Sequence, residues 1–70
     1  MAEHYTISEL AEEFGVSTRT LRFYEAENLI HPLRKGRHRL YGRTDRVRLR
    51  LILRSKRLGL SLAEIGEVLE

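Results

Sequence analysis

The stretch Leu10-Ala-Glu-Glu-Phe-Gly15-Val-Ser-Thr-Arg-Thr-Leu-Arg-Phe-Tyr24 decides the fold. Leu10, Ala11 and Phe14 follow the i, i+1, i+4 spacing of one buried helical stripe. Gly15 then stops the helix, because glycine takes up the left-handed conformation of a helix end without steric cost. Ser17 offers its hydroxyl to the first N–H groups of a second helix. Only Gly15, Val16 and Ser17 separate the two helices, so they must cross sharply. Ala11 is small where the helices touch, and Val16 and Leu21 fill the space between them. Together these meet the steric requirements of a helix-turn-helix.

Toward the N-terminus, Tyr5, Thr6 and Ile7 suit a short extended lead-in. Thr6 with Glu9 has the form of a capping box, which starts the first helix at about residue 8. The second helix is expected over about residues 18–27, burying Leu21 and part of Phe23 or Tyr24 and leaving Thr18, Arg19 and Arg22 outside. Asn28 ends it, and Leu29 and Ile30 return to the core. From His31 to Tyr41 the pattern changes: Pro32 forbids helix, Lys35 and Gly36 suit a tight turn, and the flanks suit short strands. The result is a basic hairpin.

Beyond it, Thr44 can cap a third helix that runs to about Leu58 and stops at Gly59. From Arg46 to Leu53, arginine alternates with Val47, Leu49 and Leu51, which alone is a strand signature. The stretch exceeds ordinary strand length and has no internal breaker. Its apolar residues also sort onto two helical faces, Val47, Leu51 and Leu58 on one and Leu49, Ile52 and Leu53 on the other, so a helix packed on two sides is expected. Ser61 with Glu64 is a further capping box, and Leu62, Ile65, Val68 and Leu69 form the stripe of a fourth helix. The expected fold is mainly α, a single winged helix-turn-helix domain over residues 1–70. Its helix-turn-helix lies at about 8–28, its β-hairpin wing at about 31–42 and two further helices at about 44–58 and 61–70.

Seventy residues, of which 41% are hydrophobic, allow one small core. Enzyme sites usually occupy pockets of about 300 Å³ or more, which so short a chain rarely encloses, so no catalysis is expected. The absence of cysteine removes disulfides, thiolate metal sites and cysteine redox chemistry, and fits a reducing cytoplasm. His4, His31 and His38 are scattered and no glycine-rich phosphate loop occurs, so neither metal nor cofactor is expected. No apolar run approaches the roughly 20 residues that span a bilayer, and the N-terminus is polar and acidic, so no membrane segment or targeting signal is expected.

The net charge is only +3, but residues 34–57 hold 11 Lys and Arg against Asp45 alone, while both flanking segments are net acidic. Such a run is the footprint of a polyanion partner, since each cation near a phosphate releases condensed counterions. A merely solvated helix face would mix its signs. Membrane headgroups share this chemistry, and the fold separates the two cases. A helix-turn-helix sets its second helix in the major groove of DNA, and a following hairpin can grip the flanking backbone. Arg19 and Arg22, three apart on one face, suit bidentate reading of guanine and equally suit phosphate contact. Tyr24 and Tyr41 each join a ring that packs to a hydroxyl that can reach a phosphate, with pure core packing as the alternative.

Four blocks carry a family resemblance. Tyr5-Thr-Ile-Ser-Glu-Leu-Ala, Gly15-Val-Ser-Thr-Arg-Thr-Leu-Arg-Phe-Tyr-Glu, Arg39-Leu-Tyr41 and Leu58-Gly-Leu-Ser-Leu-Ala-Glu-Ile65 stand in an order and spacing that resembles the N-terminal domain of bacterial MerR-type transcription regulators. The resemblance spans nearly the whole chain. It implies a winged helix-turn-helix that binds promoter DNA as a homodimer and affects RNA polymerase indirectly. Carried over by position, it implies recognition-helix contacts at Thr18, Arg19 and Arg22, a phosphate contact at Tyr24 and wing contacts at Arg39 and Tyr41. Arg34, Lys35 and Arg37 are similar in role. Phe23 stands where many members have a tyrosine, and His38 where a wing aromatic is frequent. Members usually continue into a coiled-coil helix and an effector domain, so this chain is expected to be an excised or minimal DNA-binding domain. Two other classes remain alternatives: an excisionase-like DNA-bending protein and a non-specific basic interaction module.

Overall fold

The computed structural model describes residues 4–70. Strand β1 (His4–Tyr5) leads into helix α1 (Ile7–Phe14), and helix α2 (Thr18–Ala26) follows. Strands β2 (Leu33–Lys35) and β3 (His38–Gly42) come next, then helices α3 (Arg43–Arg57) and α4 (Leu62–Leu69). Thr6 caps α1 reciprocally with Glu9: the Thr6 hydroxyl accepts from Glu9 N at 3.1 Å, and Glu9 Oε1 accepts from Thr6 N at 2.8 Å. Gly15 ends the helix at φ 67°, and Val16 N then donates to Ala11 O at 3.0 Å, which closes the turn. An added Cβ at Gly15 would meet nothing within 4 Å, so only its backbone conformation demands glycine there. Gly15→Ala is therefore expected to lower stability by about 1 kcal/mol without altering the fold. Thermal melts of the two proteins measure this, and a loss of several kcal/mol would show that the turn is crowded after all.

Ser17 caps α2, and its hydroxyl accepts from Thr20 N at 3.1 Å. The helix ends before Asn28, which holds φ at 64°, a conformation asparagine tolerates better than most residues. Leu29 and Ile30 then turn inward and are buried.

The wing turn falls one residue later than the sequence suggests. Lys35 pairs with His38, so Gly36 and Arg37 make the two-residue loop, with Gly36 at φ 63°. A turn at Lys35 and Gly36 would have paired Arg34 with Arg37; the observed register pairs Arg34 with Arg39. The wing also has a third strand. β1 pairs antiparallel with β3, Tyr5 opposite Tyr41, giving the order β1-β3-β2.

Thr44 does not cap α3. The helix begins at Arg43 with Gly42 at the cap position, and Asp45 reaches back to accept from Gly42 N at 3.1 Å. Asp45 also accepts from His31 N at 2.8 Å. One buried carboxylate thus ties the entry of the wing to its exit, and both oxygens are satisfied.

The core is built by Leu10, Leu21, Ile30, Tyr41, Leu49, Ile52 and Ile65, all essentially sealed from solvent. Leu49 and Ile52 hold α3 against this core, with Leu53 partly buried beside them. The opposite face of α3 does not pack: Val47 is 46% exposed, Leu51 41%, and Leu58 at its C-terminal end 74%. The expected two-sided burial is corrected accordingly. In α4, Ile65 is buried while Val68 lies outside the core.

Candidate nucleic-acid interface

Helix α2 takes one turn every 3.6 residues or so, which places Leu21 and Tyr24 inward and Arg19, Arg22, Phe23 and Ala26 on one outward arc. Burial follows that division: Leu21 and Tyr24 are buried, and the other four are exposed. Thr18 is half-buried at the first helical position. Tyr24 retains 5% of its surface, and burial raises its phenol above the ordinary value.

One residue of α2 governs how the wing is held. Glu25 accepts from Arg34 Nη2 at 2.8 Å and from Arg39 Nε at 2.7 Å. Arg34 and Arg39 stand directly across β2 and β3 from one another, where like charges repel. The Glu25 carboxylate between them removes that repulsion and fixes the wing to the side of α2. Burial pushes the Glu25 carboxyl up, but the hydrogen bonds and charges of the two arginines outweigh it and hold it below the usual carboxylate range. Reading the sequence missed this triad, because a turn placed one residue early hides the pairing of Arg34 with Arg39. Correct placement of Gly36 and Arg37 in the loop would have shown two arginines in need of an acid.

Tyr41 is fully buried, and its Oη has no hydrogen-bond partner. A wing contact by this hydroxyl is corrected to a core role, since no phosphate can reach a side chain sealed between the sheet and the helices. Arg39 is mostly covered, with 24% of its side chain exposed beside Glu25, whereas Arg34 keeps 61%. Lys35 and Arg37 project at the tip of the wing.

The rest of the basic run serves several purposes. Arg46 makes a bidentate pair with Glu13, at 2.9 and 2.6 Å to Oε2, and its guanidinium lies 5.6 Å from the centre of the Tyr5 ring. The Arg46 hydrogen bond lowers the Glu13 carboxyl below its ordinary value. Arg48 donates to Leu29 O at 2.7 Å and to Leu69 O at 3.2 Å, binding the exit of α2 to the end of α4. Arg43, Arg50, Arg54, Lys56 and Arg57 are exposed. The charge run that looked like one footprint is therefore divided: some arginines fasten the fold, and the wing tip and α3 surface keep cations in solvent. Among the described residues, no group of three or more His, Cys, Asp or Glu could hold a metal ion, and no helix is long and apolar enough to cross a membrane.

The sequence description of the MerR helix-turn-helix family of regulatory proteins matches residues 5–70. The chain belongs to the MerR family. A mercuric resistance operon regulatory protein from Shigella flexneri is 41% identical over 69 residues, 96% of this chain and 48% of that protein. The regulator ZntR of Escherichia coli (strain K12) is 40% identical over 67 residues, 93% of this chain and 48% of its own length. The chain thus spans about half the length of these curated relatives. A MerR family transcriptional regulator from Bacillus cereus superposes with a TM-score of 0.84 at 38% identity, covering 94% of this chain and 51% of that one. HiNmlR, a MerR family regulator lacking the sensor domain and crystallised with promoter DNA, superposes with a TM-score of 0.83 at 33% identity, covering 96% and 52%. The winged helix-turn-helix architecture of this MerR domain is shared with both structures.

Proposed function

We propose that this chain is the promoter-binding domain of a bacterial transcription regulator, acting in the cytoplasm on double-stranded DNA. The observation that carries the reading is the outward arc of α2. It presents Arg19 and Arg22 to solvent, beside a wing that Glu25 locks in place. Likeness to a MerR structure bound to promoter DNA supports it. Thr18, Arg19 and Arg22 enter the major groove. Lys35 and Arg37 at the wing tip, with Arg34 and Arg39 behind them, meet the flanking phosphates. Tyr24 supports α2 through its ring and offers its hydroxyl at the margin. Residues 1–70 form one domain of this function. Assembly as a homodimer, response to an effector and an indirect action on RNA polymerase belong to the same proposal and rest on family membership. One domain alone is expected to bind a half-site, weakly and with strong salt dependence.

Selection of bound sequences from a random duplex pool tests the proposal. Enrichment of one short motif supports base reading by α2, and its recurrence as an inverted repeat supports a dimer. Tandem direct repeats would favour an excisionase-like role instead. Equal binding to DNA, heparin and acidic lipid would reduce the chain to a non-specific basic module.

On the selected site, Arg22→Ala is expected to cost about 1 to 3 kcal/mol and to relax preference at one position. Arg37→Ala should weaken all sequences alike and reduce the salt slope by about 1. Binding titrations at several salt concentrations separate the two patterns, and identical profiles would refute the division of labour.

A further inference from the structure

Phe23 is the one large apolar side chain of α2 left in solvent, 49% exposed. It lies four residues from Arg19, one helical turn along the same arc, on the edge away from Glu25 and hence away from the wing. The ring has a defined setting, 6.0 Å from the Tyr24 ring between centroids and inclined to it by 50°. The other large exposed apolar residues, Leu33, Val47, Leu51, Leu58 and Val68, belong to the wing, to the last two helices and to the cap that ends α3. On α2 itself the neighbours of Phe23 in solvent are arginines and an alanine.

A half-exposed phenyl ring is costly in water and gains only where an apolar surface meets it. A face that carries Arg19 and Arg22 into the major groove carries Phe23 with it. There the base edges offer hydrogen-bond donors and acceptors, together with one apolar group, the C5-methyl of thymine. We infer that Phe23 is a specificity-determining residue that reads a thymine methyl in the major groove. This deepens the promoter-binding reading and rests on it. The ring has no hydroxyl to bond a phosphate, so its contribution is to base preference and not to counterion release.

Deoxyuridine keeps the hydrogen-bonding edge of thymine and lacks only the methyl, so it isolates this contact. Each thymine of the selected duplex is replaced singly by deoxyuridine, and dissociation constants are measured for the unaltered chain, Phe23→Ala and Phe23→Tyr. Circular dichroism checks that each variant keeps its helices, which an exposed position should allow.

At one position, or one symmetry-related pair, the unaltered chain should bind the deoxyuridine duplex roughly fourfold more weakly, the worth of one buried methyl. Phe23→Ala should bind both duplexes alike, and Phe23→Tyr should keep the difference. The fourfold ratio should also hold across salt concentrations, unlike a phosphate contact. A selected motif without thymine, no position sensitive to the methyl, or equal sensitivity in Phe23→Ala would each overturn the inference while leaving DNA binding intact. Failure to bind any duplex would overturn the promoter-binding reading itself, a distinct result.

Discussion

Tyr41→Ala is expected to destabilise the domain by about 3 to 5 kcal/mol, whereas Tyr41→Phe should leave stability unchanged or raise it by about 1 kcal/mol. The ring is fully enclosed beside Leu10, Leu49 and the rest of the core, so truncation opens a cavity that the surrounding side chains cannot collapse into. A domain of this length has roughly 4 to 10 kcal/mol of stability in all, so the alanine variant should be partly unfolded at ordinary temperatures. The phenol oxygen is a different matter. It is buried without a partner, so it has lost its water and gained no bond, and removing it relieves that cost. Denaturant titrations of the three proteins measure both effects. DNA titrations of the folded Tyr41→Phe variant then separate the roles, since a core tyrosine predicts unchanged affinity. A marked loss of affinity in that variant would restore the hydroxyl as a wing contact.

Glu25→Gln should have the larger effect on DNA recognition, and its direction runs against simple charge counting. Removing the carboxylate releases Arg34 and Arg39 and adds one net positive charge at the wing. Non-specific binding at low salt should tighten, and the salt slope should steepen by about 1, since the lost carboxylate no longer offsets one positive charge of the Arg34 and Arg39 pair beside the phosphates. Preference for the selected site over random duplex should fall, because the wing is no longer held to α2. Stability should drop by about 1 to 2 kcal/mol, a range discounted for the partial exposure of the arginines. A variant that kept both its salt slope and its site preference would show that the triad does not position the wing.

The same triad sets a pH dependence. The Glu25 carboxyl titrates below its ordinary value of 4.5 because folding supplies two guanidinium partners that outweigh its burial. A depressed carboxyl stabilises the fold fully above its unfolded value and loses that contribution as the pH falls through the folded one. Glu13 and Glu64 are lowered as well, so the domain should lose stability on acidification below about pH 4.5. The loss should be smaller in Glu25→Gln, which has no charge there to neutralise.

The helix-turn-helix was legible because its determinants are local. Gly15, Ser17 and the Thr6 with Glu9 box act on backbone groups within four residues, and Leu10, Ala11 and Leu21 declare their faces by spacing alone. The arginines of α2 could be placed outward for the same reason, since a helix with two inward residues leaves only one arc for the rest. The wing was harder. A one-residue error in its turn changes every cross-strand partner, and no local signal distinguished Lys35 with Gly36 from Gly36 with Arg37 as the loop. On α3 the periodicity was correct about helix and silent about coverage, because an apolar stripe shows which residues can be buried and not whether anything lies opposite.

What the sequence determined by itself is therefore the set of helices, the sharp turn between the first two and the basic character of the segment that follows, all fixed by short-range capping, spacing and charge. Only the tertiary structure decided the fate of individual side chains that could go either way. Tyr41 went inward because β3 is the central strand of the sheet and is packed against α1 and α3. Phe23 went outward because Leu21 and Tyr24 already fill the inner face of α2. Glu25 became the clamp of the wing because strands brought together from residues 33–35 and 38–42 set two arginines opposite each other beside it. Each outcome depends on partners distant in the chain, whose positions are set by packing and not by the residue's own neighbours.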